Sequence, residues 1–206
     1  MISTTTLIII VTCIVSYMGW QNPSRQYGWL MNPYQIVHRQ QYYRLLTSGF
    51  LHADYIHLIF NMFTLYFFGD IVEFYFNQVS EYGTILYVAM YLIGIVAADI
   101  PSLLKHKDNP HYNALGASGA VSAVVFSSIL FNPLNELCLY GLLCLPGIVF
   151  GAIYMIYSYF KGKNGNDNIN HDAHLFGAIF GIVFTIAVWP EIILHFIDQM
   201  RNFSLF

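Results

Sequence analysis

A few polar residues with side chains suited to acyl transfer lie in otherwise apolar segments. Ser118 lies in the stretch Gly116-Ala117-Ser118-Gly119, His174 lies near the start of a late apolar run, and Asn61 follows His57 by four residues. Polar and ionisable groups are costly in lipid and usually have a function there. A hydroxyl activated by an imidazole base is a nucleophile, and an amide donor can stabilise the resulting oxyanion. These residues therefore indicate acyl transfer as a candidate chemistry.

Each of these residues also has a purely structural interpretation. The spacings Gly116-x-x-x-Ala120 and Gly177-x-x-x-Gly181 are small-residue patterns that let membrane helices pack closely. A single histidine at a helix end is often an interfacial hydrogen-bonding residue. Asn61 could likewise join two helices through its amide. Taken singly, each residue leaves packing and chemistry open.

The composition around these residues is that of a membrane protein. Of the 206 residues, 57% are apolar and only 9% are charged, against about 25% charged in an average soluble domain. The apolar residues fall in long runs, and only helices or closed barrels satisfy the backbone in lipid. We therefore predict an all-α polytopic bundle that forms a single domain, residues 1–206. Its six predicted spans are residues 4–20, 55–76, 83–104, 115–132, 137–160 and 172–196.

The order of the spans brings the polar residues to one side of the membrane. Consecutive spans alternate in direction, so spans two, four and six begin at the same face. Asn61, Ser118 and His174 lie near those beginnings and are expected at similar depth. His57 and Asn61 share one helical face at spacing i, i+4. This coincidence favours chemistry, and close packing of span six on span four would bring His174 within reach of Ser118.

Charge and cysteine content argue against other classes of protein. A net charge of -3 with eight Lys and Arg residues gives no basic patch, so nucleic acid is not an expected partner. Cys13, Cys138 and Cys144 lie in apolar segments and are predicted to be small buried hydrophobic residues, without a disulfide framework or a metal motif. No metal or organic cofactor is expected. The first apolar run lacks a basic leader and a clear cleavage site, so we interpret it as a retained span.

The connection between the first two spans is long for a helix–helix loop. Residues 21–54 combine aromatic and basic side chains, a mixture that suits the interface between lipid and water. Most such loops have about two to eight residues. A functional segment is therefore favoured over a solvated loop.

Taken together, the motifs resemble those of the rhomboid family of intramembrane serine proteases. Four segments carry the resemblance, in family order and on the expected spans: Tyr43-Arg44 with Phe50 and His52 for the W-R segment, His57-x-x-x-Asn61 for H-x-x-x-N, Gly116-Ala117-Ser118-Gly119 for G-x-S-G, and Ala173-His174 with Gly177 and Gly181 for A-H-x-x-G-x-x-x-G. The resemblance extends from about Tyr43 to Gly181 and includes the layout of six transmembrane helices.

The resemblance implies a role for each matching residue. Ser118 would be the nucleophile, and His174 the general base and then the general acid. His57 and Asn61 would form the oxyanion hole together with the backbone N–H of Ser118. The family uses no carboxylate as a third member, and Asp172 does not face His174 at spacing i, i+2. The implied activity is that of a serine endopeptidase that cleaves protein substrates in or near their transmembrane segments, within the lipid bilayer.

Two residues depart from the family pattern. Tyr43 replaces the usual Trp of the loop segment, which keeps an amphipathic ring. Ser122 occupies the position, one turn after Ser118, where some relatives carry a Tyr that packs on the catalytic His. What holds His174 in place is therefore an open question.

The orientation in the membrane receives conflicting signals. The family layout implies a bacterial plasma membrane, with the N-terminus in the cytoplasm and the active site toward the extracytoplasmic side. Seven basic residues would then lie outside: Arg25, Arg39, Arg44, Lys105, Lys107, Lys161 and Lys163. The positive-inside rule predicts the opposite orientation. We adopt the family orientation because a membrane-embedded first loop partly escapes that rule.

Two other functions compete with proteolysis. A non-catalytic rhomboid-like protein could bind membrane helices, although such relatives typically lack the Ser or the His that this chain retains. A small transporter could use buried His and Asn residues to bind ions, but the broken-helix Gly and Pro pairs typical of that class are missing. The physiological substrate, its cut site and the oligomeric state are not predicted.

Overall fold

A computed structural model describes residues 2–139, 143–164 and 169–201 of the chain. Within these ranges it contains ten α-helices, one 3-10 turn and one β-hairpin. The elements are α1 (Thr4–Gln21), α2 (Pro23–Trp29), α3 (Pro33–Arg39), α4 (Arg44–Thr47), the 3-10 turn (Ser48–Phe50), α5 (Tyr55–Val79), α6 (Gly83–His106), α7 (Ser118–Phe131), β1 (Glu136–Leu139), β2 (Leu143–Pro146), α8 (Gly147–Asn164), α9 (His171–Val188) and α10 (Ile192–Arg201).

The helices form a membrane bundle, which confirms the all-α polytopic fold. Four of the described helices are long and apolar enough to cross a membrane: α1, α5, α6 and α9. Helix α7 is apolar but has only 14 residues. It lies in the centre of the bundle, where 12 of those 14 residues are buried. Helix α8 has 18 residues and lies at the periphery, with most of its large side chains exposed.

Small residues join α7 to α9. A Cβ atom added at Gly177 would collide with the backbone oxygen of Gly119, and one added at Gly181 would collide with the oxygen of Ala123. The two helix backbones therefore touch at two successive turns. The pattern Gly177-x-x-x-Gly181 acts in packing, as predicted, and brings the start of α9 against the start of α7. On α7 the touching residues are Gly119 and Ala123 rather than the predicted Gly116 and Ala120, since Gly116 lies before the helix and faces His57.

Side-chain caps fix where two of the site-bearing helices begin. Asp54 accepts a hydrogen bond from the backbone N–H of His57 at 2.8 Å, and Asn170 accepts one from the N–H of Ala173 at 3.1 Å. Each cap satisfies an N–H group that the first helical turn leaves free. The first turns of α5 and α9 are thereby anchored next to the residues that the sequence analysis singled out.

Three predicted span boundaries are wrong, and glycine or proline accounts for each. The fourth span begins at Ser118 rather than at residue 115, because Gly116 adopts φ +132°, which no helix permits. The fifth begins at Gly147 rather than at residue 137, since Pro146 lacks an N–H and disfavours a helical residue before it. The sixth ends at Val188, and α10 begins only after Pro190.

The prediction for two of the three cysteines is also wrong. Cys138 and Cys144 face each other across the β-hairpin and form a disulfide. Both side chains are exposed, so neither is a buried hydrophobic residue. The pairing follows from the hairpin register, which an interpretation of this segment as helix could not reveal. Cys13 is a half-buried free thiol, closer to the prediction.

Candidate active site

Ser118 is the first residue of α7 and follows a turn that requires glycine. The backbone of Gly116 has φ +132°, and its N–H donates to the carbonyl of Ser48 at 3.0 Å. A Cβ atom at Gly116 would lie 2.7 Å from Cε1 of His57. The His57 ring therefore packs directly on the backbone that leads into Ser118, and only glycine fits between them.

His174 lies on the first turns of α9, opposite the start of α7. Its backbone N–H donates to the carbonyl of Asn170 at 3.3 Å. The preceding carbonyl, that of Ala173, is 3.4 Å from the position of a Cβ on Gly119. Ser118 precedes Gly119 and His174 follows Ala173, so each predicted catalytic residue is the chain neighbour of a residue in this helix contact.

His57 and Asn61 lie one turn apart on the same face of α5. Asn61 is buried and donates from Nδ2 to the carbonyl of His57 at 3.0 Å. An amide group has two N–H donors, so this bond leaves the second one for another acceptor. The structure thus brings His57 next to the turn before Ser118, with Asn61 one turn further along α5.

A buried histidine that the sequence analysis quoted only as part of a motif anchors the same turn. His52 has no exposed surface. Its Nε2 accepts from the N–H of Ala117 at 3.4 Å, and its Nδ1 lies 2.9 Å from the hydroxyl of Ser16, which donates to the carbonyl of Phe50. This arrangement fits a neutral ring with its proton on Nδ1.

The electrostatics of His52 agree with a neutral ring. Burial, with a smaller contribution from the neighbouring His57, lowers the pKa of His52 to about 3, whereas Asp54 opposes the shift. His52 is therefore a hydrogen-bond acceptor at any physiological pH. It ties α1 and the long loop to the residue immediately before Ser118.

The long loop after α1 is built against this site rather than solvated. Arg44 is 5% exposed, and its guanidinium donates to the carbonyls of Tyr27 at 2.7 Å and Leu30 at 2.9 Å. Met31 forms an antiparallel bridge with Ala114, four residues before Ser118. The loop thus continues to the edge of the site, as its unusual length indicated.

A tyrosine from α8 packs on His174. The rings of Tyr154 and His174 are stacked at 6.0 Å with an interplanar angle of 19°. The hydroxyls of Tyr154 and Ser122 lie 2.8 Å apart. Tyr154 could not be identified from the sequence, because nothing in the pattern of α8 distinguishes this tyrosine from Tyr157 or Tyr159.

A small cavity lies beside Ser118. Its volume is about 20 Å³, enough for one water molecule. Asp99 of α6 and Asn170, which caps α9, line it together with Gly116, Ser118 and Gly119. Asp99 was also missed, although a carboxylate inside an apolar span is a signal that sequence reasoning can use.

Ligands with metal-binding spacing occur elsewhere in the described part of the chain. The β-hairpin carries three such residues, whose ligand atoms lie within 4.8 Å of one another: Glu136, Cys138 and Cys144. The hairpin follows the C-terminal end of α7, whereas Ser118 lies at its N-terminal end. In the structure the two sulfurs are joined to each other. A thiolate is needed to bind a metal, so this group does not offer one in its oxidised form.

Known proteins resemble this chain over most of its length. A family model described as "Rhomboid domain" matches residues 39–191. RHOMBOID-like protein 12, mitochondrial, of Arabidopsis thaliana is 30% identical over 149 residues, which cover 65% of this chain and 43% of that protein. Rhomboid-like protein 11, chloroplastic, of the same plant is 31% identical over 163 residues, covering 72% and 52%. Presenilin-associated rhomboid-like protein A, mitochondrial, of Danio rerio is 27% identical over 172 residues, covering 78% and 45%.

The coverage and the names of these relatives limit what can be concluded from them about this chain. The chain spans about half the length of the relatives it matches. Their names refer to mitochondria and chloroplasts, so they do not support the bacterial plasma membrane expected from the resemblance. They do support a multi-pass integral membrane protein, in agreement with the apolar helices.

Proposed function

The chain belongs to the rhomboid family, and on that premise we propose that it is a serine endopeptidase that cleaves other proteins in or near their transmembrane segments. Ser118 is the nucleophile of this proposal and His174 its base. The observation that carries it is the contact between Gly119 and Ala173 where α7 meets α9. That contact supports the proposal because Ser118 and His174 are the chain neighbours of the two residues that touch, at the point where two apolar helices meet.

In the acylation step, His174 takes the proton of the Ser118 hydroxyl as its oxygen attacks the scissile carbonyl. Negative charge then develops on the carbonyl oxygen. The backbone N–H of Ser118, at the N-terminus of α7, faces this charge with a favourable helix dipole. His57 and the second N–H of Asn61 are the side-chain donors on the α5 side. As the tetrahedral intermediate collapses, the C–N bond breaks and His174 donates its proton to the leaving amine, which leaves the acyl group on Ser118 and a neutral His174.

In the deacylation step, a water molecule must reach the acyl-enzyme. The cavity of about 20 Å³ beside Ser118 has room for that water. Asp99 and Asn170 give it polar walls in a region where apolar helices otherwise exclude water. His174 then takes a proton from the water and returns it to the Ser118 oxygen as the acyl group leaves.

The substrate of this reaction is a membrane-spanning segment that can expose its backbone. An intact helix hides its carbonyls in hydrogen bonds, so the segment must unwind locally at the scissile bond. Glycine, proline and small polar residues near the cut site lower the cost of unwinding. We therefore expect transmembrane protein substrates that are rich in such residues near one membrane face.

The competing proposal is a rhomboid-like protein that binds membrane helices without cleaving them. It would leave the assembled hydroxyl, imidazole and amide donors without a use. Reaction with a fluorophosphonate separates the two proposals, because only an activated serine is phosphonylated. We expect labelling of the wild type at Ser118, and loss of labelling in Ser118→Ala and His174→Ala.

The matched control for this experiment is Ser128→Ala. Ser128 is another buried serine of α7, and its hydroxyl donates to the carbonyl of Val125 at 2.7 Å. This variant should label like the wild type. Unlabelled wild-type protein with a native melting curve would favour the binder, and labelling that persists in His174→Ala would remove His174 as the base.

For the orientation we propose the family arrangement, with the Ser118 end away from the cytoplasm; the bacterial plasma membrane remains an expectation from the resemblance. Two of the basic residues at that end have structural partners, which weakens their value as a signal of orientation. Arg44 is buried, and Nζ of Lys105 lies 3.2 Å from Oδ2 of Asp172. The hairpin then faces the reducing side, where disulfides are rare. We therefore expect Cys138 and Cys144 as thiols in cells and as a disulfide only under oxidising conditions.

A reporter cysteine tests this orientation. Asn109 is exposed in the connection between α6 and α7, at the Ser118 end of the bundle. In a background without native cysteines, Asn109→Cys should react with a membrane-impermeant maleimide on intact bacterial cells. Reaction only after the cells are opened would reverse the orientation.

A further inference from the structure

We propose that Tyr154 is the positioning residue for His174 and that it makes the activity depend on where α8 sits. This inference rests on the proposed function, since it concerns the base of that reaction. Ser122 leaves the α7 side of His174 without an aromatic ring. The structure supplies a ring from α8 instead, stacked on His174 at 6.0 Å and 19°.

The hydrogen bond between Tyr154 and Ser122 fixes that ring at a second point. The two hydroxyl oxygens lie 2.8 Å apart. The ring stacks on α9 while its hydroxyl bonds to α7, so Tyr154 bridges the two helices that carry the proposed base and nucleophile. A smaller residue at position 122 is what leaves space for the tyrosine hydroxyl.

The helix that carries Tyr154 is bound less firmly than the helix that carries Ser122. Twelve of the 14 residues of α7 are buried, whereas Ile153, Ile156 and Phe160 on α8 are each more than half exposed. Helix α8 therefore buries a narrower face than α7. If α8 is displaced, the Tyr154 ring moves away from His174. A ring carried by the more deeply buried α7 would stay in place.

Substitutions at Tyr154 test the positioning role through the rate of fluorophosphonate labelling at Ser118. Tyr154→Leu removes the aromatic ring, and misplacing a catalytic group by about 1 Å can cost 100-fold in rate. We expect a loss of 10- to 100-fold on that basis. Tyr154→Phe keeps the ring and loses one hydrogen bond, for an expected loss of about 2- to 10-fold.

Moving the ring back to α7 is the sharper test, because a merely structural role would not be rescued. The double variant Ser122→Tyr with Tyr154→Ser exchanges the two side chains that already contact each other. We expect it to recover most of the labelling rate that Tyr154→Leu loses. A folded double variant that stays as slow as Tyr154→Leu overturns the positioning role.

A wedge under α8 tests the dependence on its position. A Cβ at Gly151 would lie 3.2 Å from both Phe126 and Ile129, so Gly151→Leu pushes α8 away from α7. It should slow labelling in the wild-type background and have little effect in the exchanged background. Equal slowing in both backgrounds overturns the dependence on α8.

The outcomes stay separable from failure of the proposed function. If Ser118→Ala or His174→Ala still labels, the dyad itself is wrong, whatever Tyr154 does. If the dyad behaves as proposed and Tyr154→Leu labels at the wild-type rate, only the inference about Tyr154 fails. If the double variant does not fold, Tyr154→Leu and Tyr154→Phe can be compared at matched thermal stability. That comparison shows whether the labelling rate depends on the aromatic ring at position 154.

Discussion

The replacement Gly177→Ala should separate Ser118 from His174 without changing either residue. The new Cβ would lie 2.8 Å from the carbonyl carbon and 3.0 Å from Cα of Gly119, and closer still to its oxygen. Carbon atoms in contact prefer about 3.5–4.0 Å, so α9 must move away from α7 by about 1 Å. Because His174 is one turn from Gly177 on α9, it moves with that helix.

Two effects of different size follow from this displacement. Overpacking a tight contact costs about 1–3 kcal/mol in stability. A 1 Å misplacement of a catalytic group can cost about 100-fold in rate. We therefore expect a folded protein whose melting temperature falls modestly and whose labelling rate at Ser118 falls about 100-fold. The assay is time-resolved fluorophosphonate labelling in detergent, at a temperature well below the melting transition.

Gly94→Ala is the matched control for this replacement. Gly94 also lies within a membrane helix, but a Cβ there would lie 3.5 Å from its nearest neighbours, which is an ordinary contact. Its labelling rate should equal that of the wild type. If Gly177→Ala labels as fast as Gly94→Ala, the close approach of α9 to α7 is not what assembles the dyad.

Three further predictions concern the surroundings of Ser118. Gly116→Ala should abolish labelling, because an alanine at φ +132° is strained and its Cβ meets the His57 ring; labelling at the wild-type rate would contradict the account of this turn. Asp99→Leu should leave fluorophosphonate labelling unchanged but slow substrate turnover about tenfold or more, because the polar wall of the water cavity is lost, with an acyl-enzyme visible by intact mass; unchanged turnover would place the water elsewhere. The pKa of His52 is lowered to about 3 in the folded protein, against about 6.5 when unfolded, so its contribution to stability is full above pH 6.5 and decreases as pH falls toward 3. Melting temperatures measured from pH 7.5 to pH 5 should therefore fall less in His52→Gln than in the wild type, and equal slopes would refute this assignment.

Much of the fold could be predicted from the sequence because lipid imposes strong rules on it. Long apolar runs must be helices, and alternation of direction puts Asn61, Ser118 and His174 at one face. The spacing of Gly177 and Gly181 also predicted the contact of α9 with α7, because glycines four residues apart on one helical face allow close helix packing. The boundaries were less predictable, because a proline or a glycine ended a helix within a run that stayed apolar.

The parts of the site that sequence reasoning missed depend on contacts between distant segments. Tyr154 lies 36 positions after Ser118, in a helix with several similar tyrosines, and only the packing selects it. His52 looked like part of a loop motif, whereas its burial and its bond to Ala117 give it a role in the turn before Ser118. The disulfide between Cys138 and Cys144 was not predicted for the same reason. The two cysteines face each other only because the segment forms a β-hairpin, and the sequence was interpreted as a helix there.

Cleavage of a membrane-embedded substrate tests the central claim most directly. The purified protein would be reconstituted into liposomes with a fluorescently tagged single-span protein that carries glycine and small polar residues near one end of its transmembrane segment. We predict that the wild type and Ser128→Ala cut this substrate within or next to that segment, and that Ser118→Ala and His174→Ala do not. Cleavage by Ser118→Ala at the wild-type rate would contradict the proposal that Ser118 is the nucleophile of an intramembrane protease.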